Sequence, residues 1–168
     1  MSKQQFSEKR ETRIKIYDYD KIISRNFALM EKDLSENNVK LIKKFDMILV
    51  NESLSEARRS KILNTLLSLS RLLNKDWSET NKEDIEVLVY KFNRKFSKNG
   101  QETNTTSDHK KILKNFYRWF KLGSRDWKEI GDPDETKWIR TKTRQTCILQ
   151  RMFTKTQKVE DFRLVSFD

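Results

Sequence analysis

The sequence predicts an all-α bundle of four to five helices, and three observations carry that prediction. Turn residues are scarce: three Gly and one Pro in 168 residues cannot supply the breaks an all-β chain needs about every 8–12 positions. Ten Phe, four Trp and four Tyr provide large side chains for a core, whereas disordered chains are poor in aromatics. Apolar residues also recur at three- and four-residue intervals along most of the chain, which places them on one face of a helix. The length fits one domain, or one domain with tails.

Residues 1–17 are polar, carry five Lys/Arg and two Glu and lack an apolar stripe; they read as a flexible basic arm. The helical domain is expected over 18–140. Its first helix spans about Tyr19–Lys32, with Ile22, Ile23, Phe27 and Met30 on one face. Ser35 or Asn37 caps a second helix carrying Val39, Ile42, Phe45 and Leu49. Ser55 suits the N-cap of the third, because its hydroxyl can accept a bond from a free backbone N–H. That helix holds Ile62, Leu66, Leu69 and Leu73, with Leu63 and Leu67 beside them; as the most apolar element it belongs at the centre of the bundle.

Thr80-Asn81-Lys82-Glu83 fits a capping box, with Thr80 and Glu83 satisfying each other's backbone donors. It opens a fourth helix with Ile85, Leu88, Val89, Phe92 and Phe96 inward, ended near Gly100. The fifth helix opens near Thr106 and turns Ile112, Phe116, Trp119 and Phe120 inward until Gly123. Pro133 starts a short helix over Pro133–Ile139, a position whose missing N–H does no harm, with Trp138 packing back on the bundle. Ile62, Leu66, Leu69, Phe92, Phe116 and Trp119 are the expected buried residues. Residues 141–168 form a basic C-terminal tail without periodicity, and about 144–168 are expected to be poorly ordered without DNA, like the N-terminal arm.

The chemical inventory narrows the function. No apolar run approaches the roughly 18 residues of a membrane span, and no signal-peptide apolar region opens the chain. The single cysteine, Cys147, excludes a disulfide framework and a cysteine zinc cage. The single histidine, His109, excludes a His-pair metal motif and reads as a polar side chain facing solvent or DNA. Glycines at 100, 123 and 131 are too scattered to cradle a phosphate. No acid, base and nucleophile come together in the sequence, so no catalytic residue, metal or cofactor is expected. The expected location is cytoplasmic and nucleoid-associated.

Charge supplies the positive signal. The chain carries 36 Lys/Arg against 25 Asp/Glu, net +11, and the excess is uneven. Leu54–Lys75 holds five cations against Glu56 alone, Lys98–Lys128 holds eight against three acids, and Asp76–Tyr90 between them is acidic. Ser107, Lys110, Lys111, Lys114, Arg118 and Lys121 recur at helical spacing as a solvated stripe opposite Ile112 and Phe116. A helix N-terminus presents unpaired N–H donors and a positive dipole end, both suited to phosphate. The expected contact residues are Ser55, Arg58, Arg59 and Lys61 at one helix start and Thr105, Thr106, Lys110, Lys111 and Lys114 at the other. Together they offer roughly six to eight phosphate contacts to a DNA backbone.

Four segments in order carry a resemblance: Ser53-Leu54-Ser55-Glu56-Ala57-Arg58 opening a leucine-rich helix, Trp77 with Thr80–Glu86, Lys111-Ile112-Leu113-Lys114-Asn115-Phe116-Tyr117-Arg118-Trp119-Phe120, and Pro133 to Trp138-Ile139. Over about 18–140 the chain resembles the N-terminal core-binding (SAM-like) domain of tyrosine recombinases, the Xer and phage-integrase family in its archaeal form. The resemblance implies a bundle of two crossed helical hairpins that lays two helix starts into the major groove of double-stranded DNA, in DNA integration and recombination. Those starts map to the helices opening at Ser55 and near Thr106. It also marks a departure. The family's catalytic domain, with its His-x-x-Arg box and tyrosine nucleophile, has no counterpart here: His109 is followed by Lys110-Lys111-Ile112. Strand cleavage is therefore not expected. Residues 144–168 do not resemble the family, which leaves both a stand-alone module and a truncated recombinase with a non-native tail open. Partners implied are duplex DNA, a tyrosine recombinase or further copies of the chain on DNA, and no membrane. RNA or single-strand binding, and docking on a recombinase catalytic subunit, are the competing readings.

Overall fold

In the computed structural model, which describes residues 17–141, the chain is all-α. Its elements are α1 (Tyr19–Asp33), α2 (Glu36–Asn51), α3 (Glu56–Leu73), a 3-10 turn at Trp77–Glu79, α4 (Lys82–Phe96), α5 (Asn104–Leu122) and the single turn α6 (Trp127–Ile130). No β-strand occurs among the described residues; Lys98 and Gln101 pair only across a tight turn. No helix among them is long and apolar enough to cross a membrane. The expectations for the N-terminal arm and the C-terminal tail lie outside the described residues, apart from Tyr17 and Thr141. The chain divides into two compact units at Trp77/Ser78.

In the first unit α3 packs against both α1 and α2, the central place its leucines predicted. Ile62, Leu63, Leu66, Leu67 and Leu69 are buried on it, with Ile23 and Met30 on α1 and Val39, Ile42, Phe45 and Leu49 on α2. Ile22 is exposed instead of joining that face, because Ile23, Asn26 and Met30 already form the buried side of α1. Asp18 caps α1 by accepting from the Lys21 N–H at 3.0 Å, and Ser35 caps α2. Buried Trp77 ties the end of α3 to the start of α2: its N–H donates to Asn38 Oδ1 at 2.9 Å and its indole N–H to Ser70 Oγ at 2.8 Å. Ser35 and Asn37 donate to the Asp76 carboxylate and hold its pKa below the ordinary aspartate value.

In the second unit α4 packs on α5. Ile85, Leu88, Val89 and Phe92 are buried on α4, and Leu113, Phe116 and Tyr117 on α5. Several expectations shift here. The cap of α4 is Asn81 with Asp84, not Thr80 with Glu83; Thr80 is buried and shares a 2.8 Å hydrogen bond with the Tyr117 hydroxyl. Helix α5 is rotated from the expected stripe. Ile112, Trp119 and Phe120 are half-buried while Leu113 and Tyr117 are fully enclosed. The shift also buries Ser107, His109 and Arg118, which the charge pattern placed in solvent. His109 packs at a tilt against Phe92 and Phe96, with ring centroids 5.7 and 4.7 Å away, and its Nδ1 lies 2.8 Å from the Thr105 carbonyl. Gly123 closes α5 in the left-handed region at φ +77°. Pro133–Ile139 forms turns rather than a helix: the Thr136 and Lys137 N–H groups both bond the Pro133 carbonyl, and the Ile139 N–H bonds the Thr136 carbonyl. Trp138 is exposed, its indole N–H donating to the Glu135 carbonyl at 2.8 Å.

Candidate nucleic-acid interface

The start of α3 follows a tight reversal. After α2, Ser53 takes φ +57°, and the Ser53 and Leu54 N–H groups return to the Val50 and Leu49 carbonyls. Ser55 occupies the N-cap position, yet its side chain makes no capping bond and is exposed. Only its carbonyl is engaged, by the Arg58 and Arg59 N–H groups at 3.0 and 2.9 Å. Arg58 is exposed and has no ion pair among the described residues. Arg59 turns the other way and grips Asp46 of α2 with two bonds, Nε to Oδ1 at 2.9 Å and Nη2 to Oδ2 at 2.6 Å. That pair is largely buried, so Arg59 staples α3 to α2 instead of facing solvent.

Lys61, one turn on, is exposed and lines a groove of about 400 Å³ between α1 and α3, together with Arg25, Asn26, Ser60 and Asn64. Arg25, from α1, is a cation that reading the chain helix by helix missed. Only the packing of α1 on α3 brings it beside Lys61, and no spacing rule along the sequence contains that contact.

The start of α5 is built differently. Thr103 is the N-cap, three residues before the expected opening, and it exchanges bonds with Thr106: the Thr106 N–H donates to Thr103 Oγ1 at 3.2 Å and the Thr103 N–H to Thr106 Oγ1 at 2.9 Å. Thr103 Oγ1 also donates to the Phe96 carbonyl, and Thr106 is fully buried. The Thr103 and Thr106 N–H groups are thus satisfied within the protein. Thr105 is exposed.

The stripe of cations on α5 is largely matched by carboxylates. Lys110 pairs with Glu102 at 3.1 Å, Lys114 and Arg118 both reach Asp132, and Lys121 pairs with Glu135 at 3.5 Å. Lys114 also donates to the Ile139 carbonyl at 3.2 Å. Burial raises the Asp132 pKa, but bonds from Lys114 and Arg118 outweigh it and hold the carboxyl below its usual value. Lys111 is exposed and has no ion pair among the described residues, on the wall of a second groove, of about 360 Å³. Five of the nine sequence-predicted contact residues therefore face solvent: Ser55, Arg58, Lys61, Thr105 and Lys111. Arg59, Thr106, Lys110 and Lys114 serve internal bonds. Among the described residues no group of three or more His, Cys, Asp or Glu is placed to hold a metal ion. Comparison with family models, with curated proteins and with solved structures finds no match.

Proposed function

We propose that the chain is a duplex-DNA-binding module that occupies its site without cutting it, contributing to integration or recombination in the manner of a recombinase core-binding arm. The observation that carries the reading is the start of α3. Ser55 makes no side-chain capping bond, Arg58 stands exposed and without an ion pair among the described residues, and Arg25 and Lys61 flank the adjoining groove. A helix start without a side-chain cap and with nearby cations is suited to a phosphate backbone. The recombination role rests on the resemblance of four segments alone: Ser53–Arg58, Trp77 with Thr80–Glu86, Lys111–Phe120 and Pro133–Ile139.

Competition is the test. A labelled duplex bound to the full chain should be displaced by unlabelled duplex well before equal amounts of RNA of the same sequence. RNA competing as well as duplex would replace the reading with general polyanion binding. No binding to any nucleic acid at low salt, together with binding to a recombinase catalytic subunit, would replace it with a protein-docking module.

A further inference from the structure

We infer that the second groove, formed by Lys111, Lys114, Asn115, Arg118, Trp127 and Asp132, is a docking site for one unstacked nucleotide, with the base on the Trp127 indole and the phosphate on Lys111. The site is separate from the α3 start and does not depend on the duplex contacts proposed there.

Trp127 is 63% exposed, and its indole has no hydrogen bond or ring contact among the described residues. It is also held on a firm base. Arg118, buried and lining the same groove, donates from Nε to the Gly131 carbonyl at 2.9 Å and from Nη1 to the Arg125 carbonyl at 2.7 Å, so one guanidinium clamps both ends of the segment carrying Trp127. Arg125 Nε donates to Asn115 Oδ1 at 2.6 Å, and Asp126 caps the turn by accepting from the Lys128 N–H at 2.9 Å. A large aromatic kept in water on a braced segment has already lost the chain freedom that binding would otherwise take away.

The lining specifies the ligand. Three cations face one carboxylate in the groove, and Asp132 is shared by Lys114 and Arg118, which leaves Lys111 unmatched and the groove net positive. Such a lining disfavours a cation on the indole. A simple anion would leave the indole face uncovered, and a purely apolar group would leave Lys111 without a counter-charge. A planar aromatic joined to a phosphate satisfies both, and base–aromatic stacking beside cations is how unpaired nucleotides are held. A volume of about 360 Å³ falls within the roughly 300–1,000 Å³ of small-ligand sites. The nucleotide could come from a strand or be free, and the test separates the two.

The experiment uses the full chain with three probes: a short single-stranded oligothymidylate, thymidine monophosphate and a blunt duplex. Both the oligonucleotide and, at higher concentration, the monophosphate should quench the tryptophan fluorescence if the site takes a free nucleotide; quenching by the oligonucleotide alone assigns the site to a strand. Either result supports the site. Trp127→Ala should weaken oligonucleotide binding by roughly tenfold or more, Trp127→Phe by much less, and Lys111→Ala should weaken it with a shallower salt dependence. Blunt-duplex affinity and thermal midpoint should be unchanged in Trp127→Ala, which separates this site from the duplex reading. Wild-type affinity of Trp127→Ala for the oligonucleotide, or no binding of either single-stranded probe by the wild type, would overturn the inference whatever the duplex does.

Discussion

Asp132→Ala removes the carboxylate on which Lys114 and Arg118 converge, and the structure sets the size of the loss. The Arg118 side chain is 7% exposed and the Asp132 and Lys114 side chains 18% each. Lys114 can swing its ammonium into water, so its share is small. Arg118 cannot. It keeps its bonds to the Gly131 and Arg125 carbonyls but loses its counter-charge. Breaking a buried ion pair from one side costs about 3–5 kcal/mol, and the carbonyl bonds that survive place this case at the lower end, about 3 kcal/mol. In urea, with a slope of about 1–3 kcal/mol/M for a small protein, the midpoint should fall by roughly 1–3 M with the slope unchanged. Adding Arg118→Met should recover part of the loss, because no guanidinium is then left buried and unmatched. Glu36→Ala, which breaks the exposed Lys40–Glu36 pair, should leave the midpoint in place. An Asp132→Ala protein with the wild-type midpoint would refute the assignment of Asp132 as the anchor of this unit.

The same carboxyl predicts an acid dependence. A group held below its ordinary pKa contributes stability that is complete above the unfolded value, near 4 for aspartate, and is lost as pH falls through the folded one. Wild-type stability should therefore drop below about pH 4, and Asp132→Ala should drop less over that range, as read from urea midpoints at each pH. Leu66, fully buried on α3, should cost about 2–5 kcal/mol when cut to Ala, measured in the same unfolding assay. The Tyr117 hydroxyl is pushed up by burial, so one of the four tyrosines should titrate late in an alkaline absorbance scan. Tyr117→Phe leaves buried Thr80 without that bond and should cost roughly 1–3 kcal/mol.

The helices were legible because their apolar residues repeat at 3.6-residue spacing, and α1, α2, α3 and α4 fall close to where that spacing puts them. The capping of α4 shows the limit of local rules. Thr80–Glu83 and Asn81–Asp84 are overlapping candidates one residue apart, and the choice is made by Tyr117, 37 residues away, which takes the Thr80 hydroxyl. On α5 the error was in rotation. Lys114, Arg118 and Lys121 lie at helical spacing and look like a solvated stripe, but Asp132 and Glu135 come back along it. Nothing within the helix announces that return. His109 misled for a related reason: flanked by Asp108 and Lys110 it looks polar, yet Phe92 and Phe96 enclose its ring. At the start of α3, Ser55, Arg58 and Lys61 face solvent as the charge pattern placed them, and no acid among the described residues pairs with Arg58.

The central claim is that particular exposed cations, rather than net charge, bind the duplex. Its direct test is the affinity for duplex DNA across a salt series. With Arg59 committed to Asp46, the six to eight contacts expected from the sequence give way to three at the start of α3 and its adjoining groove, Arg25, Arg58 and Lys61. At roughly −0.9 per phosphate these imply a log–log slope of about −3. Single changes Arg25→Ala and Arg58→Ala should each make the slope shallower by about one. Reversal of Arg25, Arg58 and Lys61 to Glu should abolish binding with the helical signal intact, while reversal of Lys40, Lys43 and Lys44 should leave most of it. Equal loss of binding in both triple variants, or wild-type binding by the first, would contradict the account.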